Sequence, residues 1–296
     1  MHPLSEHITS LWKITEVPVD FNAPHLAHYS TMKLGLDRSV AYYSALLSES
    51  VEKLMAEHPE CQEWVLTAPP YESLPSAANL MMWWINRDLS NRLSEKERLS
   101  VVDIHLSGDA IHSSNDFNSY HFYSKGSVRH RIEHRRRLMQ TVDDISRHRQ
   151  RLSGRGIVVV NDIKVSGTQQ KFLGEYLGKA DPLFVHNLYI LELAESIGQQ
   201  FPQFEYELNK SRIQSLKDFG RVLGAADVHY TARCIGDLFA CDVPEFKSLL
   251  KALSTDRRLR ILKLVRSESR YLGDYFSDKI RILQELCAVE ALTNPV

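Results

Sequence analysis

Apolar residues along the chain fall into two rhythms. Short β-branched runs read as strands buried on both faces, as in a parallel sheet. Longer stretches repeat apolar positions every three or four residues and read as amphipathic helices. The densest run is Ile157, Val158, Val159 and Val160, a strand that ends on Asn161 and Asp162. A short loop with Ser166, Gly167 and Thr168 follows. Residues 169–180 then read as a helix, with Phe172, Leu173, Tyr176 and Leu177 on one face.

Residues 1–36, with Pro3, Pro18 and Pro24, read as irregular structure over a few short elements. Asp37 is the expected N-cap of a helix reaching about residue 57, with Val40, Tyr43, Leu47, Val51 and Leu54 on one side. Residues 63–68 read as a strand. A proline-rich turn with Pro70, Tyr71, Glu72 and Ser73 breaks it, and a helix over 76–93 buries Ala77, Leu80, Met81 and Trp84. Strand, tight loop and helix make the first half of a βαβ unit. Residues 101–106 form a second strand. Residues 107–125 are rich in Ser, Asn, Asp and Gly, and so long a polar stretch is either functional or disordered. Residues 183–193 are apolar and β-prone, and 204–208 are a candidate strand. Helical patterns follow at 216–222, 244–253, 256–265 (with Asp256 as N-cap) and 271–292. The pattern divides the chain into a helical cover at 1–60, an α/β core at 61–210 and a helical extension at 211–296.

Composition narrows the function classes. Hydrophobic residues make up 43% and charged residues 25% of 296, as in an ordinary globular protein with a substantial core. The formal net charge of −1 gives no global basic field for nucleic acid. Cys61, Cys234, Cys241 and Cys287 form no C-x-x-C pair, which argues against a zinc knuckle or a disulfide framework and fits a reducing cytoplasm. No signal peptide is expected at the N-terminus. The longest strongly apolar run, residues 80–85, is too short to span a membrane.

Small residues leading into a helix make an anion site, because the first N–H groups point outward and the dipole favours negative charge. Gly167 lets the backbone approach a ligand closely, and Asn161 with Asp162 suits vicinal hydroxyls of a sugar. Together they read as a ribose-phosphate site. The run 129–137, with Arg129, Arg131, Arg135, Arg136 and Arg137, suits a phosphate-facing helix, a nucleic-acid face or a solvated helix running to residue 152. Inside it His130, Glu133 and His134 fit the H-x-x-E-H zinc pattern of a hydrolase. The flanking arginines would repel a dication, so no stoichiometric zinc is expected.

The stretch 156–170 resembles the phosphoribosyl-diphosphate (PRPP) binding motif of type I phosphoribosyltransferases: a hydrophobic strand, two acidic residues, a short run, then Thr-Gly-x-Thr. Asn161 and Asp162 fall on the acidic pair, and Ser166 and Gly167 on Thr-Gly. Asn161 replaces an acid, Val165 replaces an acid often placed before the phosphate loop, and Gln169 replaces the final Thr.

The resemblance implies an α/β fold with a parallel sheet of phosphoribosyltransferase type and helical additions at both ends. It implies a site for PRPP or a nucleotide monophosphate built from Asn161, Asp162, Ser166, Gly167, Thr168 and Gln169. It implies transfer of phosphoribosyl to or from a nitrogen base, with diphosphate as leaving group. Magnesium would be held by substrate oxygens and water, with no metal site made by protein alone. Pro70, Tyr71, Glu72 and Ser73 fall where the family holds diphosphate. Residues 107–125 fall where it carries a closing loop, with Tyr120, Tyr123 and Lys125 as candidates, and Arg129 and Arg131 as nearby cations. The C-terminal helices suit acceptor-base recognition, a homodimer or a protein partner. Two rivals are a non-catalytic sensor of PRPP or nucleotide, favoured by Asn161 and Val165, and a nucleotide-consuming effector controlled by a partner, as in a toxin or defence setting.

Overall fold

The computed structural model describes residues 6–93, 98–106 and 144–293, with Ile132, Glu133, Arg136, Met139 and Val142 between the second and third stretches. Five strands, β1 (Glu6–Ile14), β2 (Glu63–Thr67), β3 (Arg98–Val101), β4 (Gly156–Lys164) and β5 (Phe184–Leu193), form one parallel sheet in the order β1-β5-β4-β2-β3. Its central strand, β4, is buried on both faces, and its side chains alternate between two cores. Val158 and Val160 enter the core covered by α2 (Asp37–Glu57) and α3 (Ala77–Ser90). Ile157 and Val159 enter the core covered by α4 (Ser146–Leu152) and α5 (Thr168–Gly178). The fold is α/β.

Several features depart from the sequence reading, and the last expected helix begins at Ser277 rather than at 271. Residues 6–14 form an edge strand, because pairing with β5 along its length supplies the backbone partners that a mixed polar sequence does not advertise. β3 covers Arg98–Val101, ahead of the expected 101–106. Residues 204–208 belong to a helix, α7 (Phe204–Lys210), which follows α6 (Glu195–Gln200). Asp37 lies inside α2 and Asp256 inside a later helix, so neither is an N-cap.

The C-terminal helices α8 (Leu216–Leu223), α9 (Ala232–Ala240), α10 (Val243–Lys251), α11 (Thr255–Arg266) and α12 (Ser277–Thr293) enclose a core of their own. Phe239 is its hub, with ring centroids 4.8 Å from Tyr271 and 5.2 Å from Phe246. Leu34, Leu36 and Leu74 reach into it from the α/β part. Backbone bonds fasten the junction: Asp37 N–H to Asp227 O at 2.9 Å, His229 N–H to Gly35 O at 2.8 Å, and Ala232 N–H to Pro75 O at 2.9 Å. Gly35 has φ 89°, and a Cβ there would lie 1.8 Å from His229 O, so no other residue fits this crossing.

His186 on β5 is buried, with Nε2 2.9 Å from Thr9 Oγ1. Burial, helped by His7 and His58, lowers its pKa from 6.5 to about 4. Below pH 6.5 the unfolded chain takes a proton that the folded protein refuses, so this stability is complete above 6.5 and is lost as pH falls toward 4. Thermal denaturation should show Tm falling across that window, and falling less in His186→Asn. Equal slopes would show that His186 does not set the acid limb.

Candidate functional site

β4 carries its last residues to the carboxyl edge of the sheet, where open α/β sheets bind ligands. The strand runs on to Lys164, so Asn161 and Asp162 lie within it and not at its end, a correction to the sequence reading. The β5 ladder, with Asn161 beside Tyr189 and Lys164 beside Glu192, carries it past the apolar run. Asn161 and Asp162 are 3% and 8% exposed. Each turns an oxygen to the next backbone N–H: Asn161 Oδ1 accepts from Asp162 at 3.0 Å, and Asp162 Oδ1 from Ile163 at 2.8 Å.

Val165, Ser166 and Gly167 turn the chain into α5. Gly167 has φ 69° and ψ 0°, the left-handed region that glycine tolerates. A Cβ there would meet only Lys164 Cε at 3.7 Å, so backbone conformation rather than crowding calls for glycine. No side chain caps α5, and the Ser166 and Thr168 hydroxyls bond each other at 2.9 Å. The loop rests on α6, where a Cβ on Gly198 would lie 2.0 Å from Val165 O. Asn161, Ser166, Gly167, Thr168 and Gln169 line one shallow hollow of ≈ 30 Å³, and Asp162 does not. Lys164, also lining it, donates to Glu192 at 2.9 Å. Burial opposes the charge on Glu192, yet Lys164 and Lys13 hold its carboxyl below the usual range.

A residue that the sequence does not flag lies behind the hollow, which it does not line. Lys33 ends α1 (Tyr29–Lys33), and its ammonium donates to Asp162 Oδ2 and, at 3.0 Å, to Glu205 Oε1 on α7. Glu205 also lines the hollow. The three side chains are 11–15% exposed, so water screens them little. Burial works against the charge on Lys33, but the two carboxylates outweigh it and raise its pKa above that of ordinary lysine. No spacing rule finds a partner 129 residues away.

A buried strand, a left-handed glycine and an uncapped helix start have the geometry of an anion cradle. The family model described as PRTase ComF-like, for phosphoribosyltransferases, matches residues 6–283. The chain belongs to the ComF-like phosphoribosyltransferase family. No curated protein matches it. The family match takes in β1 and extends into α12, so most of both segments flanking the expected core falls within it.

In this ComF-like chain the turn after β2 is bonded to the C-terminal helices. Pro70 has no N–H, and Tyr71 N–H donates to Ile104 O at 3.2 Å. Ser73 and Leu74 N–H both donate to Glu268 Oε2, at 3.0 and 2.8 Å. Glu268 is fully buried, and Arg270 donates to its other oxygen. Glu72 reciprocates, accepting from the Ser269 N–H at 3.0 Å and hydroxyl at 2.8 Å. The donors expected to meet a diphosphate thus meet a carboxylate of the chain itself.

Lys125, Arg129, Arg131, Tyr120, Tyr123, His130 and His134 lie outside the described residues. Among the described residues, no group of three or more His, Cys, Asp or Glu is placed to hold a metal ion, and no helix is long and apolar enough to cross a membrane.

Lys33→Met strands two largely buried carboxylates. Urea denaturation should show a loss of about 3 kcal/mol, the low end for breaking a buried pair; a loss below about 1 kcal/mol would mean the pair is screened as surface pairs are. Gly198→Ala should cost about 1–3 kcal/mol by overpacking against Val165 O, and unchanged stability would contradict that contact.

Proposed function

We propose that the protein binds a 5-phosphoribosyl ligand, PRPP or a nucleoside monophosphate, at the loop between β4 and α5. The observation that carries this reading is Gly167: its left-handed backbone opens an uncapped helix start at the carboxyl edge of the central strand. Asn161 would meet a ribose hydroxyl, a role supported by its lining the same hollow. The matching chemistry is exchange of phosphoribosyl between diphosphate and a nitrogen base. The base nitrogen would attack C1, the bond from C1 to the diphosphate oxygen would break, and diphosphate would leave with the electron pair. The nitrogen's proton would pass to water. Positive charge would build on the ribosyl ring, and cationic side chains would stabilise the departing diphosphate.

Magnesium, which the resemblance implies, finds a poor fit among the described residues. Asp162 and Glu205, the acids beside the hollow, are both bound to Lys33. No step is assigned to the metal.

A second reading is binding without turnover. Two observations favour it: buried Val165 stands where the family often carries an acid, and Glu268 holds the Ser73 and Leu74 N–H groups. Diphosphate release from PRPP in the presence of nitrogen bases separates the readings, since only the transferase releases it.

The binding site itself is tested by an order of effects. Gly167→Val, β-branched in a left-handed position, should weaken nucleoside monophosphate binding by at least about tenfold in calorimetry. Ser166→Ala should weaken it by about 0.5–1.5 kcal/mol, because backbone donors remain. A folded Gly167→Val with wild-type affinity would place the phosphate elsewhere.

A further inference from the structure

We propose that the protein has a second ligand site, the hollow of ≈ 340 Å³ between α7 and the C-terminal helices, and that it takes an uncharged one- or two-ring heterocycle carrying a hydrogen-bond donor beside an acceptor. This site is separate from the β4–α5 loop and does not rest on the phosphoribosyl reading.

The hollow lies at the seam between the α/β part and the C-terminal helices. Lys33 from α1, Tyr206 and Asn209 from α7, Phe219 from α8 and Asp237 from α9 belong to its wall. It shares no lining residue with the hollow at the start of α5. Lys33 lines this one and Glu205 the other, and the 3.0 Å bond between them stands at the partition. The volume falls in the range of roughly 300–1,000 Å³ typical of small-molecule sites.

Asn209 names the chemistry. It is 7% exposed, and neither its Nδ2 nor its Oδ1 has a hydrogen-bond partner. Among the described residues it is the one side chain with two such atoms. A buried carboxamide left unpaired is destabilising, so a wall with a purely structural task is better served by leucine. Neither polar atom meets solvent in this conformation, but the torsion that aims a carboxamide is soft and lets it turn to a ligand edge. One donor beside one acceptor matches the same pair reversed, as an amide or the edge of a 6-aminopurine presents it. Neighbouring hydroxyls are already engaged: Ser30 Oγ donates to Leu208 O at 2.9 Å, and Ser215 Oγ to Asp218 Oδ2 at 2.6 Å.

The charges select a neutral ligand. Lys33 donates to Asp162 and Glu205, and Arg233 Nε donates to Asp237 Oδ2 at 3.1 Å. The Lys210 ammonium lies 4.6 Å from the centre of the Tyr206 ring. These three cations and three carboxylates cancel, which leaves no field to draw an ion. Tyr206 and Phe219, with Leu34, Ile213 and Leu216, supply aromatic and apolar surface for a flat ring.

Calorimetry on the full chain tests this with 9-methyladenine and nicotinamide, which carry the edge, and with 9-methylpurine and methyl nicotinate, which keep the rings and lose the donor. At least one of the first two should bind, one per chain, and its donor-less counterpart should bind at least about tenfold more weakly. Asn209→Leu should lose at least about tenfold in affinity with an unchanged or higher Tm. Saturating ribose 5-phosphate should leave the affinity within about threefold, because the hollows are separate. Should the leucine variant not fold, the Asn209 side-chain amide resonances of wild type give the answer, since the bound heterocycle should shift them. No binding of either edge-bearing probe, equal binding of the donor-less counterparts, unchanged affinity in Asn209→Leu, silent Asn209 resonances or competition with ribose 5-phosphate would each overturn the proposal.

Discussion

One ammonium between two carboxylates joins the parts of this site. Lys33 comes from a short N-terminal helix, Asp162 from the central strand and Glu205 from a helix beyond β5. Charges this sheltered are costly to bring out of water, and only close pairing offsets the cost. Removing Lys33 leaves two uncompensated carboxylates, so its ammonium fixes three elements relative to one another. It also sets the electrostatics of the hollow, because Glu205 lines it and Asp162 borders it within β4.

Around that trio the backbone is held by close approaches rather than by long side chains. Gly198 lets α6 lie against Val165 O, which supports the loop from behind. Gly35 lets the segment after α1 cross His229 O, which fastens the C-terminal helices next to Lys33. Glu268 and Glu72 exchange carboxylate-to-N–H bonds across the same junction. The C-terminal helices are therefore tied to the turn after β2 and to the segment carrying Lys33, and the family match runs on into the last of them.

The sequence reveals those parts whose cause is local. Four β-branched residues in a row favour a strand covered on both faces, and Ser166-Gly167-Thr168 before an amphipathic run marks a helix start. Residues 204–208 mislead because Phe204, Tyr206 and Leu208 alternate as in a strand, while Phe204 and Leu208 also fit one helical face. A five-residue window does not separate the two periods. β1 becomes a strand through pairing with β5, so its own pattern is weak. Lys33 with Asp162, and Ser73 with Glu268, are contacts across 129 and 195 residues, and one sequence holds no sign of either. The motif shows where a phosphate would sit; it does not show that the neighbouring acids and turn donors are already engaged.

The central claim is that the start of α5 receives the phosphate of a ribose ligand. Backbone amide shifts of the isotope-labelled full chain, followed while ribose 5-phosphate is added, test it most directly. The account predicts the largest shifts at the amides of 167–170 and none at Ser73 and Leu74, whose N–H groups stay on Glu268. Silent amides at 167–170, or larger shifts at Ser73 and Leu74, would contradict it.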